Sequence, residues 1–205
     1  GFILGYETLW CRNVFLKWKE REIQPDFLSF CSYQYIAIYE NEQRYGRKSI
    51  DSSYIRNQVA IMREMMKRTG FEIPEFHIDE WNFTISNRNL LNDSCEQGAY
   101  IVKNCIDMAG DIDLMAYWHA LDVYSEYYDT DMVLNGDSGL ISRDGIAKPS
   151  YYAFVFLNKL LPKVIAKEDN LLATTNGKGR YVILCHNFKK LSSQYVFTEE
   201  DQIRV

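Results

Sequence analysis

Three times along this chain a short apolar strand alternates with a long helical stretch, and then the pattern stops. Residues 27–31, 75–79 and 114–118 each read as a short buried strand. Helical periodicity fills residues 10–22, 52–67 and 94–108 around them. Helices of that length between strands are crossover connections, and crossovers make neighbouring strands parallel. A closed (β/α)8 barrel needs eight strands and about 250 residues. The 205 residues here hold three clear strands and at most the end of a fourth. Two readings stay open on that count: an open α/β sheet, or a barrel whose other strands lie upstream of Gly1.

The local signals are specific. Val14, Phe15 and Trp18 mark one face of the first helix, which Ile23-Gln24-Pro25 ends. Residues 39–49 read as a polar loop. Ser52 or Ser53 caps a helix with Ile55, Val59, Met62 and Met66 on one stripe, and Arg68-Thr69-Gly70 closes it. From Gly136 the texture changes. A helix over 149–161 leads into short strands at 171–175, 181–186 and 195–197, with Asn176-Gly177 as a turn. The expectation is therefore a partial barrel segment over 1–135 and a small antiparallel unit with a connecting helix over 136–205.

Net charge is −5, and no Lys/Arg cluster forms a nucleic-acid footprint; Lys189-Lys190 and the alternating Lys17, Lys19 and Arg21 read as solvated faces. No stretch is long and apolar enough for a bilayer. The five Cys (Cys11, Cys31, Cys95, Cys105, Cys185) are scattered without any CxxC spacing, so no metal site is expected, and no cofactor is. Free thiols and the absence of a signal-peptide pattern give the cytoplasm as the expected location.

Phe76-His77-Ile78-Asp79-Glu80-Trp81-Asn82 carries the chemistry. A carboxylate at the C-terminal end of a parallel strand points into the mouth where barrel enzymes place catalytic groups. A lone strand-end Glu most often pairs with an Arg. Here Trp81 can wall a pocket and Asn82 can hold a polar ligand, which favours a site at Glu80.

Flanking segments extend the pattern: Phe27-Leu28-Ser29-Phe30-Cys31-Ser32-Tyr33 before it, Met115-Ala116-Tyr117-Trp118 after it, then Ser138-Gly139-Leu140, Asp144-Gly145 and Lys148-Pro149-Ser150-Tyr151. In this order and spacing they resemble the later half of glycoside hydrolase family 39, the β-xylosidase and iduronidase family, up to about Lys163. The resemblance implies the C-terminal portion, about strands 6–8, of a (β/α)8 TIM barrel followed by a small antiparallel β-sandwich unit. It implies Glu80 as the nucleophile of a retaining glycosidase and Tyr33 as the phenol beside it. It also implies Trp118 as the floor of the sugar site and Glu126 as one of a pair of carboxylates that bind sugar hydroxyls. His119 follows Trp118 at the mouth, where it can touch ligand.

The sequence departs from the family pattern in places. Retaining chemistry needs a second carboxyl group, which in the family is the Glu of an Asn-Glu-Pro, and no Asn-Glu-Pro occurs. Asn41-Glu42-Gln43 follows strand six, on the wrong side. Cys31 replaces an expected His, Ile85 and Ser86 an expected Tyr, and Ser125 the first paired carboxylate. Odd spacing from Glu80 puts His77 on the opposite strand face, as a packed histidine. Cys95 and Cys105 read as buried small hydrophobes, and His186 as structural.

Two functions follow. One is the C-terminal part of a β-xylosidase-like hydrolase acting on a β-xyloside or related sugar, inactive as an isolated fragment. The other is a sugar-sensing module of an arabinose-regulator-type transcription factor. The expected partners are a carbohydrate and a missing N-terminal barrel half, or self-association through the open sheet edge.

Overall fold

A computed structural model describes residues 2–85, 88–122 and 132–188, with the backbone alone over 2–9, 36–40 and 43–47. In chain order the elements are β1 (Phe2–Ile3), α1 (Leu4–Glu20), β2 (Phe27–Tyr33), β3 (Tyr35–Glu40), β4 (Gln43–Lys48), α2 (Tyr54–Thr69) and β5 (Glu75–Asn82). A 3-10 turn at Leu90–Asp93 then precedes α3 (Cys95–Met108), β6 (Leu114–Tyr117), α4 (Pro149–Leu157), β7 (Lys163–Glu168), β8 (Leu171–Thr175) and β9 (Tyr181–Cys185). Glu126, Ser125, Ser86 and the strand expected over 195–197 lie outside the described residues.

The strand–helix alternation becomes a four-stranded sheet in the order β1-β2-β5-β6, parallel throughout, with β1 and β6 at its edges. Even positions of β2 face the helices: Leu28 and Phe30 are buried there with Phe76 and Ile78 of β5. Against them pack Phe15 of α1, Ile55, Val59 and Met62 of α2, and Tyr100, Ile101 and Ile106 of α3. Each such large apolar side chain contributes roughly 1.5–3 kcal/mol on burial. The stripe read from the sequence of α2 is the buried one, and Gly70, at φ 74, ends that helix with its N–H on the Lys67 carbonyl. Ser94 caps α3, its side chain accepting from the Gln97 N–H.

Four local expectations need correction. The polar loop over 39–49 is a hairpin, β3 against β4, turned at Asn41 and Glu42 with φ 50 and 63. A two-residue hairpin needs left-handed backbone at both turn positions, and Glu42 is not a residue that advertises it. Helix α1 begins at Leu4, not Trp10, and ends at Glu20, because Arg21 and Glu22 already form the closing turn. Helix α4 stops at Leu157 rather than Leu161. Strand β7 was unforeseen because all six of its residues are exposed and no alternation marks it.

Strands β7-β8-β9 form an antiparallel sheet, with β8 central and buried at Leu172, Ala173 and Thr174. Leu172 and Leu184 join the same core as the parallel sheet. Lys167 of β7 reaches the end of α3, donating to the carbonyls of Asp107 and Ala109 at 2.9 Å each. Near the start of α3, the Gly98 backbone lies close enough to α4 that a Cβ there would meet the Pro149 carbonyl at 3.0 Å.

Candidate active site

Strand β5 is central in the parallel sheet, and its C-terminal end is irregular. Against β2 the register runs Phe30 to Ile78 and then Cys31 to Glu80, so Asp79 is an extra residue. Against β6 it steps from Ile78–Met115 to Trp81–Tyr117. This is a β-bulge, a device that re-aims side chains. Register partners share a face, so His77 beside Ser29 and Glu80 beside Cys31 point to the same side. The expectation that His77 and Glu80 lie on opposite faces is thereby corrected: the bulge adds one residue and reverses the parity. His77 packs as expected, stacked on Phe27 with ring centroids 5.1 Å apart and 3.1 Å from Glu75 Oε2.

Glu80 is half-buried and its Oε1 accepts a hydrogen bond from the Tyr33 hydroxyl at the end of β2. Burial first, then the bond to and charge of Glu80, push the Tyr33 phenol well above its ordinary range. Tyr33 therefore stays protonated and remains a donor. Trp118, just past β6, is 46% exposed and its N–H bonds the Trp81 carbonyl at 3.0 Å. His119 meets the Trp118 ring edge-on at 5.1 Å, and its Nε2 lies 3.6 Å from Asp137 Oδ1.

Two expected ligand contacts are turned elsewhere. Trp81 is fully buried on the helix side, between Tyr100 and Tyr117, at 6.1 and 5.5 Å, so its ring walls the core and not the mouth. Asn82 is also fully buried. Its Oδ1 accepts from the Phe83 N–H at 2.6 Å and from Gln97 Nε2 at 2.9 Å, while its Nδ2 donates to the Trp118 carbonyl and the Tyr117 hydroxyl. Asn82 thus ties the ends of β5 and β6 together and fixes the backbone that carries Trp118. Cys95 is exposed, not buried as expected, because it is the first residue of α3. Burial pushes the Cys105 thiol up to about 12, which suits an inert core position. No disulfide joins any of the five cysteines. His186 is held at the end of β9, near the Asp169 carbonyl at 3.1 Å and accepting from the Phe188 N–H.

A second polar centre escaped sequence reasoning. The Lys148 ammonium is fully buried and lies 2.8 Å from Asp93 Oδ1, 2.7 Å from Asp122 Oδ2 and 2.8 Å from the Asp137 carbonyl. Its hydrogen bonds go to Asp122 Oδ1 and the Asp137 carbonyl, while Asp93 contributes an ion pair. Gly139 donates to Asp122 Oδ1 at 2.8 Å, and a Cβ on Gly139 would collide with the Asp122 backbone. This explains why Gly139 and Lys148 occur where they do. Burial tends to raise Asp137, but His119, the Ser138 N–H and Lys148 outweigh it and hold the carboxyl below its ordinary range. In Asp122 burial outweighs Lys148 and the carboxyl is raised. The cluster pins the loops after β5 and β6 around Trp118.

A mostly apolar cavity of about 560 Å³ between α3, α4 and β9 has Val102, Pro149 and Phe156 in its walls but neither Glu80 nor Trp118. No helix among the described residues is long and apolar enough to cross a membrane.

The family model for "Glycosyl hydrolases family 39" matches residues 7–182. A Beta-xylosidase of Geobacillus stearothermophilus is 23% identical over 188 residues, covering 90% of this chain and 37% of that protein. A Beta-xylosidase of Caldicellulosiruptor saccharolyticus is 28% identical over 151 residues, 66% of this chain and 30% of that protein. Among solved structures, a monomeric beta-xylosidase from Caulobacter crescentus CB15 superposes with a TM-score of 0.78 at 22% identity, over 92% of this chain and 39% of that one. The GH39 enzyme from Xanthomonas axonopodis pv. citri gives a TM-score of 0.70 at 22% identity, over 84% of this chain and 35% of that one. The chain thus spans well under half the length of these relatives. The likeness implies a fold that contains a TIM barrel.

Proposed function

This chain belongs to glycosyl hydrolase family 39, and we propose that it is the C-terminal part of a retaining, β-xylosidase-like glycosidase with Glu80 as its nucleophile. One observation carries the reading: Glu80 ends the central parallel strand with one carboxylate oxygen held by the Tyr33 hydroxyl, on the open face of the sheet. Strands β2, β5 and β6 take the places of the sixth, seventh and eighth barrel strands. The edges β1 and β6 then join strands supplied from outside these residues. Residues 136–205 begin the β-sandwich unit that follows the barrel.

The chemistry follows from the donor arrangement. Tyr33 engages Oε1, so Oε2 is the oxygen that attacks the anomeric carbon of a β-linked sugar. The glycosidic bond breaks as a glycosyl ester forms, and the leaving oxygen takes a proton from a second carboxyl group about 5 Å away. Water, deprotonated by that same group, then releases the sugar and restores Glu80. The acid/base group comes from outside this chain, which contains no Asn-Glu-Pro. Trp118 offers an apolar ring face for the sugar, with His119 beside it, and Glu126 binds hydroxyls. Five cysteines with no disulfide among them support a cytoplasmic location.

The test is treatment of the full-length protein with an activated 2-deoxy-2-fluoro-xyloside, with the adduct mapped by mass spectrometry. An ester on Glu80 is the expected result, and a folded, sugar-binding protein with no such adduct would sink the assignment. The isolated 205-residue chain should not turn over. A sugar-sensing role, favoured by Cys31 at the family's His position, predicts binding without the adduct.

A further inference from the structure

His119 stands between the two polar centres of this protein. Its ring meets the exposed Trp118 indole edge-on, with centroids 5.1 Å apart, and its Nε2 lies 3.6 Å from Oδ1 of the buried Asp137. Both members of the pair are anchored. The His119 carbonyl accepts from the Leu140 N–H at 3.1 Å, and Asp137 Oδ1 accepts from the Ser138 N–H at 2.7 Å. The Asp137 carbonyl is held in turn by the Lys148 ammonium at 2.8 Å.

Asp137 decides where the imidazole carries its proton. Despite burial, His119, the Ser138 N–H and Lys148 hold its carboxyl below the ordinary range, so it is ionised at neutral pH and only accepts. In the neutral ring the proton then sits on Nε2, facing that charge, and Nδ1 is left as an acceptor. A separation of 3.6 Å is longer than a hydrogen bond, yet the field of the carboxylate still favours the N–H on the nearer nitrogen. The two ring nitrogens diverge, so Nδ1 turns away from the buried carboxylate. The side chain is 19% exposed beside Trp118.

We propose that His119 is a sugar-contacting residue whose Nδ1 accepts a glycone hydroxyl at the edge of the Trp118 ring, and that Asp137 is the positioning residue that fixes its tautomer. The inference rests on the reading of Trp118 as the floor of a sugar site beside Glu80. An apolar ring face holds a sugar by its shape. A site that hydrogen-bonds a particular hydroxyl rejects the analogue lacking it far better than an apolar wall does. His119 therefore reads one hydroxyl of the glycone, and Glu80 governs bond cleavage.

The experiment uses the full-length protein and four variants: His119→Ala, His119→Asn, His119→Gln and Asp137→Asn. Each is labelled with the 2-deoxy-2-fluoro-xyloside and assayed on an aryl β-xyloside and its monodeoxy analogues. The expected result is labelling of Glu80 in all of them. His119→Ala should raise KM about tenfold on the parent glycoside and leave it unchanged on the analogue that lacks the contacted hydroxyl, with little effect on kcat. His119→Asn, whose amide reaches the place of Nδ1, should keep KM within about threefold. His119→Gln, whose amide reaches the place of Nε2, should match His119→Ala. Asp137→Asn should raise KM about threefold on the same glycosides. Nitrogen NMR of the deprotonated His119 ring, assigned by its absence in His119→Ala, should show the proton on Nε2 and a mixture of tautomers in Asp137→Asn.

Glu80 labelled, with His119→Ala acting equally on every glycoside or on none, overturns the contact and leaves the nucleophile assignment standing. Rescue by His119→Gln in place of His119→Asn overturns the choice of Nδ1. A proton on Nδ1, or one tautomer with and without the Asp137 charge, overturns the role of Asp137. Absence of label counts against the nucleophile alone, and calorimetric Kd values of the free sugars then judge His119. Binding about tenfold weaker in His119→Ala, except for one deoxy sugar, upholds the contact, and equal binding overturns it. Asp137→Ser, read in the same way, replaces the amide if that variant does not fold.

Discussion

Two groups of carboxylates follow the strand ends of the parallel sheet, and the protein treats them in opposite ways. Asp79 and Glu80 lie on the open face, served by a thiol and a phenol that carry no charge. Asp122 and Asp137 are buried, and Asp93 largely so, around the Lys148 ammonium, with His119 at the edge. On the open face the Cys31 thiol and the Tyr33 hydroxyl orient the carboxylates without sealing them from solvent. A carboxylate that must hold loops together is neutralised and sealed away from water.

That contrast can be broken experimentally from either side. The largest effect expected is on turnover: Glu80→Gln in the full-length protein should lower kcat on the order of 10⁴-fold, the scale of removing a nucleophile. Its thermal midpoint should hardly move, because Glu80 is only half-buried. Retained turnover would place the chemistry elsewhere. Next comes Lys148→Met, which leaves Asp93 and Asp122 buried without a counter-charge and should destabilise the fold by about 3–5 kcal/mol. Urea unfolding measures this, and a loss below about 1 kcal/mol would show that the cluster is not structural.

A smaller effect is expected from Tyr33→Phe. It removes a hydrogen bond to a charged group, about 1.5–3 kcal/mol, which should appear as a fall of roughly ten- to a hundredfold in kcat/KM. The smallest effects should come from pH. Asp137, held below its ordinary range, adds stability that is full above about pH 4 and is lost as pH falls through its depressed folded value. Asp122, held above that range, acts with the opposite sign: stability increases as pH falls from its raised folded value toward about pH 4. Unfolding midpoints between about pH 3 and pH 7 should therefore fall less steeply with acid in Asp137→Asn and more steeply in Asp122→Asn. Identical profiles in the two variants would remove the distinction.

The expectations that succeeded rest on local order. The buried stripe of α2 follows from helical spacing, Gly70 from capping chemistry, and β2, β5 and β6 from short apolar runs. The positions of Glu80, Tyr33 and Trp118 at or just past strand ends were legible because their motifs are contiguous in sequence. Where local order misled, the deciding partner was distant. Trp81 looked like a pocket wall until Tyr100 and Tyr117 enclosed it. Asn82 looked available until Gln97 and the Trp118 carbonyl took its side chain.

By itself, then, the sequence determined the alternation of parallel strands and helices, the antiparallel tail and the carboxylate at the end of the central strand. Periodicity, caps and strand-end motifs act within a few residues, so they can be read along one line of text. Tertiary structure decided the hairpin after β2, the bulge that turns Asp79 and Glu80 to one face, and the burial of Lys148 against the carboxylates of Asp122 and Asp93, far back along the chain. A bulge exists only relative to a neighbouring strand's register. A buried charge is tolerable only when distant partners arrive to meet it.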